Sequence, residues 1–166
     1  MDENQYLGRA EGKAFRLLTR RAHSENELRM KLRASGFSIN VIEKVVRRCL
    51  ELGYLNDETF ASQRVRVLAI DRLEGDRRIL LDLRRRGVEE ELCRRVIAEI
   101  RREFGEAEAI LRLLRKRVQG RPVDAQGKKE KARLARGLIG KGFPMSLILR
   151  TLKMTEEEGF HDDDWE

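Results

Sequence analysis

The chain has 166 residues, enough for one sizeable domain or a short array of repeats, and 40% of them are hydrophobic but only 5% aromatic. Arg, Leu, Glu, Lys and Ala dominate and the only prolines are Pro122 and Pro144, which excludes an all-β fold and favours helix. The net charge of +7 hides a division, because residues 155–166 hold seven acids and no Lys or Arg, leaving +14 on residues 1–154 and pointing to a polyanionic or acidic partner.

In chain order, Ala14, Phe15, Leu18 and Ala22 outline a first amphipathic helix. Ser24 and Glu27 match a capping box that opens a second helix, on which Leu28 and Leu32 share a face and which Gly36 closes. Ile42, Val45, Val46, Cys49 and Leu50 form a third, ending at Gly53. Asn56-Asp57 is the next capping signal, followed by Phe60, Ala61, Val65 and Leu68. A turn near Gly75-Asp76 leads into Ile79, Leu80 and Leu83, and that helix stops at Gly87. Leu92, Cys93, Val96, Ile97 and Ile100 make another helix, and Ala107, Ile110, Leu111, Leu114 and Val118 the one after it. A polar loop spans residues 120–127, and a helix with Leu134 and Leu138 ends at Gly142. Pro144 suits the first turn of a last helix carrying Ile148 and Leu152, since its missing N–H costs nothing there.

The helices repeat as triplets. Leu32-x-x-x-Gly36-Phe37 aligns with Leu83-x-x-x-Gly87-Val88 and Leu138-x-x-x-Gly142-Phe143, with offsets of 51 and 55 residues. Leu28, Ile79 and Leu134 precede the glycine by eight residues; Ile42, Cys93 and Ile148 follow it by six, and Val46, Ile97 and Leu152 by ten. The expected fold is therefore all-α: a tandem array of three three-helix repeats at residues 10–53, 54–103 and 104–154, elongated and curved, with residues 155–166 an acidic, disordered tail.

Catalytic chemistry is missing from the sequence. His23 falls in the turn before the second helix and is expected at the surface, and His161 lies in the tail. No His/Cys metal cluster, phosphate loop or nucleophile elbow is present, and His161 with Asp162, Asp163 and Asp164 reads as a solvated tail rather than a weak metal site, so a non-enzyme without catalytic residues, metal or cofactor is expected. Cys49 and Cys93, each among apolar residues, read as buried, reduced thiols. No apolar run approaches a membrane span and no signal peptide is evident, so the expected location is the cytoplasm. What remains is basic surface. Residues 112–141 contain eleven bases and two acids, and a second cluster lies at residues 77–86. The candidate partner- or nucleic-acid-binding residues are Arg77, Arg78, Arg84, Arg85, Arg86, Arg112, Arg115, Lys116, Arg117, Lys128, Lys129, Lys131 and Arg133. They are spread over several helices, which suits phosphate contact better than base-edge readout.

The stretch Ala14 to Leu18, Ser24-x-x-Glu27-Leu28-x-x-x-Leu32, Gly53-Tyr54-Leu55-Asn56-Asp57-x-x-Phe60-Ala61 and Ile79-x-x-x-Leu83-x-x-x-Gly87-Val88 together resemble the bacterial regulatory protein RecX family. The resemblance covers roughly residues 10–154. It implies tandem three-helix repeats and a partner, the RecA recombinase filament. Such a protein blocks filament extension and inhibits recombinase and coprotease activity, placing it in DNA recombination, DNA repair and the SOS response. A monomer that contacts RecA and single- or double-stranded DNA is expected. The alternative is a stand-alone helical DNA-binding regulator, because three-helix units also present recognition helices to the major groove. One departure from the family pattern is Gly140-Lys141-Gly142-Phe143, where arginines commonly precede Gly-Phe. A glycine inside that helix costs about 1 kcal/mol relative to alanine, so irregular geometry is expected there. The acidic tail is a second departure.

Overall fold

The structure, a computed structural model, describes residues 3–118 and 128–157, and every regular element among them is helical. In chain order these are α1 (Glu3–Arg20), α2 (Glu25–Ala34), α3 (Ile39–Glu51), α4 (Asp57–Arg66), which continues as a π-helical turn (Val67–Asp71), α5 (Asp76–Arg85), α6 (Glu90–Glu103), α7 (Glu106–Val118), α8 (Lys128–Gly140) and α9 (Met145–Glu157). The polar loop at 120–127 and residues 158–166 of the acidic tail lie outside the described residues. The chain divides into two compact units, Met1–Arg64 with Asp82–Val96 and Val65–Leu81 with Ile97–Glu166.

Hydrophobic periodicity translates into burial. The first unit has a core of Ala10, Ala14, Leu28, Leu32, Val41, Ile42, Val45, Val46, Cys49 and Leu55. That of the second comprises Leu73, Phe104, Ala109, Ile110, Leu114, Leu134, Leu138, Phe143, Ile148 and Leu152. All residues in the columns aligned eight and four before, and six and ten after, the glycines are buried. Four side-chain expectations fail. Ala22 is exposed, because α1 begins at Glu3 and stops at Arg20, so Ala10 and Ala14 carry its inner face. Ala107 is exposed, and Ala109 and Ile110 turn inward instead. Leu50 is exposed one position past the buried Cys49. His23 is buried, with its Nδ1 2.9 Å from the Arg21 carbonyl.

The three aligned glycines all have left-handed backbone, with φ of +84° at Gly36, +76° at Gly87 and +95° at Gly142. Each closes its helix in the same way. Phe37, Val88 and Phe143 donate their N–H to the carbonyls of Leu32, Leu83 and Leu138, while the glycine N–H bonds to Arg33, Arg84 and Ile139. This is the Schellman closure, and an L side chain at the glycine would be strained. The Gly140 carbonyl lies in a regular helix end and accepts from Arg78 Nη1 at 2.9 Å; a Cβ on Gly140 would meet nothing within 4 Å. The irregularity expected at Gly140 is therefore absent.

Two of these glycine turns nest against the start of an earlier helix. In the first unit, a Cβ on Gly87 would collide with the Asn26 side chain, and Ser24 Oγ donates to the Arg86 carbonyl. In the second, a Cβ on Gly142 would fall 2.7 Å from Arg78 N, and the Gly75 N–H donates to the Lys141 carbonyl at 2.9 Å. The C-terminal end of α5 thus meets the N-terminal end of α2, and that of α8 meets the N-terminal end of α5, so helix dipoles of opposite sign face each other. A second link recurs beside each joint. Asp57 Oδ1 accepts from the Glu25 N–H at 2.8 Å, and Glu106 Oε1 accepts from the Asp76 N–H at 2.9 Å. Each acid caps a helix other than its own. Burial pushes both carboxyls above their ordinary range despite these amide hydrogen bonds.

The segment between the π-helical turn and α5 is the strained part of the second unit. Leu73, a non-glycine residue at φ +51°, is buried in the core. Flanking carbonyls hold it: Arg72 O accepts from Lys141 Nζ at 2.8 Å and Glu74 O from Arg101 Nη2 at 2.7 Å.

Gly87→Ala and Gly36→Ala separate the nesting from the backbone cost. Gly36→Ala meets no neighbour within 4 Å and is expected to lose about 1 kcal/mol of unfolding free energy, the left-handed penalty alone. Gly87→Ala adds the clash with Asn26 and is expected to lose about 2–3 kcal/mol. Urea titration of the full chain monitored by circular dichroism reads the difference.

Candidate polyanion interface

Arginine is the commonest base in the candidate set, and its planar guanidinium forms bidentate pairs wherever a carboxylate is near. The structure sorts the candidates by that criterion. Arg86 is structural. Its Nε lies 2.9 Å from Asp82 Oδ2, and its Nη1 hydrogen-bonds Glu27 Oε1. Asp82 is also clamped by Arg64 at 2.8 Å through Nε and Nη2, and Glu27 is held by Arg21 Nη1 at 2.9 Å. The side chains of Arg64, Asp82, Arg86 and Glu27 are mostly covered. Burial raises the Asp82 carboxyl, but hydrogen bonds from Arg64 and Arg86 outweigh it and hold the pKa at about 2. Glu27 is likewise lowered, the arginines overcoming desolvation. Here the expected capping box is half formed: Glu27 N–H bonds Ser24 Oγ at 3.1 Å, while the Glu27 carboxylate is drawn to the two guanidiniums.

The other candidates on α5 divide. Arg78 pairs with Glu74 at 3.5 Å and with the Gly140 carbonyl, and Arg84 reaches Glu90 at 3.4 Å. Arg77 and Arg85 are exposed. On α7, Arg112 lies over the Phe104 ring at 4.6 Å and pairs with Glu108 at 3.0 Å, while Arg115 and Lys116 are exposed on the same side of the helix. On α8, Lys129, Arg133 and Arg136 share one exposed face at helical spacing, and Lys131 is half-buried. Arg133 has only a loose contact with Glu130, at 3.8 Å and with its side chain 76% exposed. The side chains of Arg117 and Lys128 lie outside the described residues. One run in sequence is therefore two separate faces, one on α7 and one on α8.

A further row of bases, outside the candidate set, lies on α1. There Arg9, Lys13 and Arg16 line a groove with Gly12, Ser35 and Phe37. The signal was their spacing of four and three residues, diluted in local charge by Glu3 and Glu11. Among the described residues no group of His, Cys, Asp and Glu could hold a metal ion. Cys49 and Cys93 are free and buried, and burial raises both thiols above their ordinary range. Burial likewise lowers His23, which keeps its imidazole neutral at pH 7. No described helix is long and apolar enough to cross a membrane.

Residues 10–49 match the family model for the first three-helix domain of RecX, and residues 105–152 the model for the third. The regulatory protein RecX of Thermus thermophilus is 37% identical over 146 residues, 88% of this chain and 92% of that protein. The chain belongs to the RecX family. The RecX of Syntrophotalea carbinolica is 32% identical over 138 residues, 82% of this chain and 90% of that protein. In fold the chain is similar to the crystal structure of RecX from Lactobacillus salivarius, with a TM-score of 0.80 at 17% identity over 93% of this chain and 99% of that one. A second crystal structure of a regulatory protein RecX gives 0.73 at 21% identity over 93% and 78%. RecX is thus a family of regulatory proteins with three-helix domains. The α7 and α8 faces fall within the segment matching the third domain, and the α1 groove reaches into the first.

Asp82→Asn tests the structural role of the arginine pair. Because the folded pKa is depressed to about 2, the charge stabilises the fold at neutral pH, and that contribution is lost as pH falls from about 4 to about 2. Wild type is expected to exceed Asp82→Asn by about 2 kcal/mol at pH 7, with the gap closing by pH 2. Arg85→Ala, by contrast, is expected to change stability by less than about 0.5 kcal/mol. Denaturant titrations across pH measure both.

Proposed function

We propose that this chain is a negative modulator of the RecA recombinase. It binds the RecA–DNA filament, blocks filament extension, and lowers recombinase and coprotease activity. Membership of the RecX family carries the reading. Exposed cations on α7 and α8 support it, since a filament of protein and DNA is a long polyanionic surface. The protein acts as a cytoplasmic monomer and performs no chemistry of its own. It is built of three repeats at residues 10–53, 54–103 and 104–154, and contact through several of them raises the effective concentration of each at its site. Bound at a growing end or across a subunit boundary, it obstructs addition of the next RecA subunit.

Co-sedimentation with RecA–DNA filaments tests the proposal. Wild type is expected to pellet with filaments and to halt their growth at amounts well below RecA. Combined reversal of Lys116, Lys129 and Arg133 to glutamate is expected to weaken binding about tenfold at low salt. Unchanged filament growth and ATP hydrolysis in the presence of wild type would sink the reading. Tight binding to one duplex sequence without RecA would favour the stand-alone regulator instead.

A further inference from the structure

The groove on α1 is built unlike the other basic surfaces. It encloses about 510 Å³ between α1 and the turn joining α2 to α3. Arg9, Lys13 and Arg16 repeat along its length, and a second hollow of about 370 Å³ shares Arg16 and adds Phe15, Thr19 and Arg20. The row of cations thus continues at positions 9, 13, 16 and 20, with steps of about 6 and 4.5 Å along the helix axis. Among the described residues, Lys13 and Arg16 form no ion pair.

Two features shape the walls of the groove. Gly12 sits inside α1, where glycine is destabilising relative to alanine, yet a Cβ there would meet nothing within 4 Å. Its effect is to leave space between the cations. On the opposite wall, the half-buried Phe37 packs on Tyr6 at 5.3 Å, and Tyr6 Oη donates to the Gly36 carbonyl at 2.8 Å. The walls therefore present cations, the Ser35 hydroxyl and an aromatic ring.

We propose that this groove binds the phosphodiester backbone of a single nucleic-acid strand. A row of cations longer than the groove suits a polymer that runs through both hollows, and the Phe37–Tyr6 pair offers a ring to a base beside the backbone. The carboxylates of an acidic peptide would pair with the cations but gain nothing from that ring. The site lies outside the α5, α7 and α8 surfaces and needs no filament, so it stands or falls separately from the proposed function.

Fluorescence anisotropy of the full chain with a labelled oligothymidylate tests it. Wild type is expected to bind, and Lys13→Glu with Arg16→Glu is expected to weaken binding about tenfold or more and to flatten the log–log salt slope by about 1.4, the loss of two phosphate contacts. Gly12→Leu keeps every charge and improves helix propensity, so it is expected to raise Tm while weakening binding several-fold by filling the groove. The proposal is overturned if wild type does not bind the strand. Unchanged affinity in both variants also overturns it, as does displacement by polyglutamate as effective as that by unlabelled strand. A double variant that loses strand binding yet still pellets with RecA filaments leaves the filament reading intact.

Discussion

The fold depends on a backbone conformation that only glycine adopts cheaply. At Gly87 and Gly142 the chain leaves its helix with positive φ, and the missing Cβ lets that turn settle on the first turn of an earlier helix. Alanine would be strained by its own backbone and would collide with Asn26 or with Arg78. Gly36 has the same left-handed backbone and nothing beside it, which separates the two demands: closing a helix needs the left-handed turn, and joining helices needs the bare backbone as well. Around each joint the polar groups are paired across it, Ser24 with Arg86 and Gly75 with Lys141, and the acids Asp57 and Glu106 satisfy amides at the same helix starts. Helix ends that would otherwise need water are thus completed by distant parts of the chain.

Charge density and available charge are different quantities in this molecule. Arg86 and Arg101 look like surface bases in sequence, yet each makes several bonds, to Asp82 and Glu27 in one case and to Asp76, Phe104 and Glu74 in the other. They fix helix positions. Bases that remain accessible, such as Arg85, Lys116 and Lys129, stand at positions where no carboxylate is within reach on the same face or where helix geometry points them outward.

Much of the fold is legible in the sequence because it is local. Apolar spacing identifies Leu28, Ile79 and Leu134 as core, and the glycines mark helix ends, because both signals reflect helix geometry over a few residues. Long-range neighbours are not encoded that way. His23 reads in sequence as part of an exposed turn, but the adjacent Ser24 bonds a carbonyl 62 residues away, and periodicity contains no information about such a partner. The capping box fails in part for the same reason, since Arg86 claims Glu27. For the interface, base density in the sequence does not separate the exposed bases of α7 and α8 from Arg86 and Arg78, whose partners lie elsewhere in the chain. On α1 the acids Glu3 and Glu11 lower the local charge and mask the cation spacing.

The cross-capping has a consequence for the order in which the molecule is made. Synthesis runs from the N-terminus, so α1, α2 and α3 emerge first with Glu25 N–H and Ser24 Oγ lacking their partners. Asp57 supplies the first, but Arg86 arrives only 62 residues after Ser24. The start of α5 waits in the same way for Glu106 and then Lys141. The starts of α2 and α5 are thus finished by later parts of the chain, and that of α5 stays incomplete until the turn at Gly142 has left the ribosome.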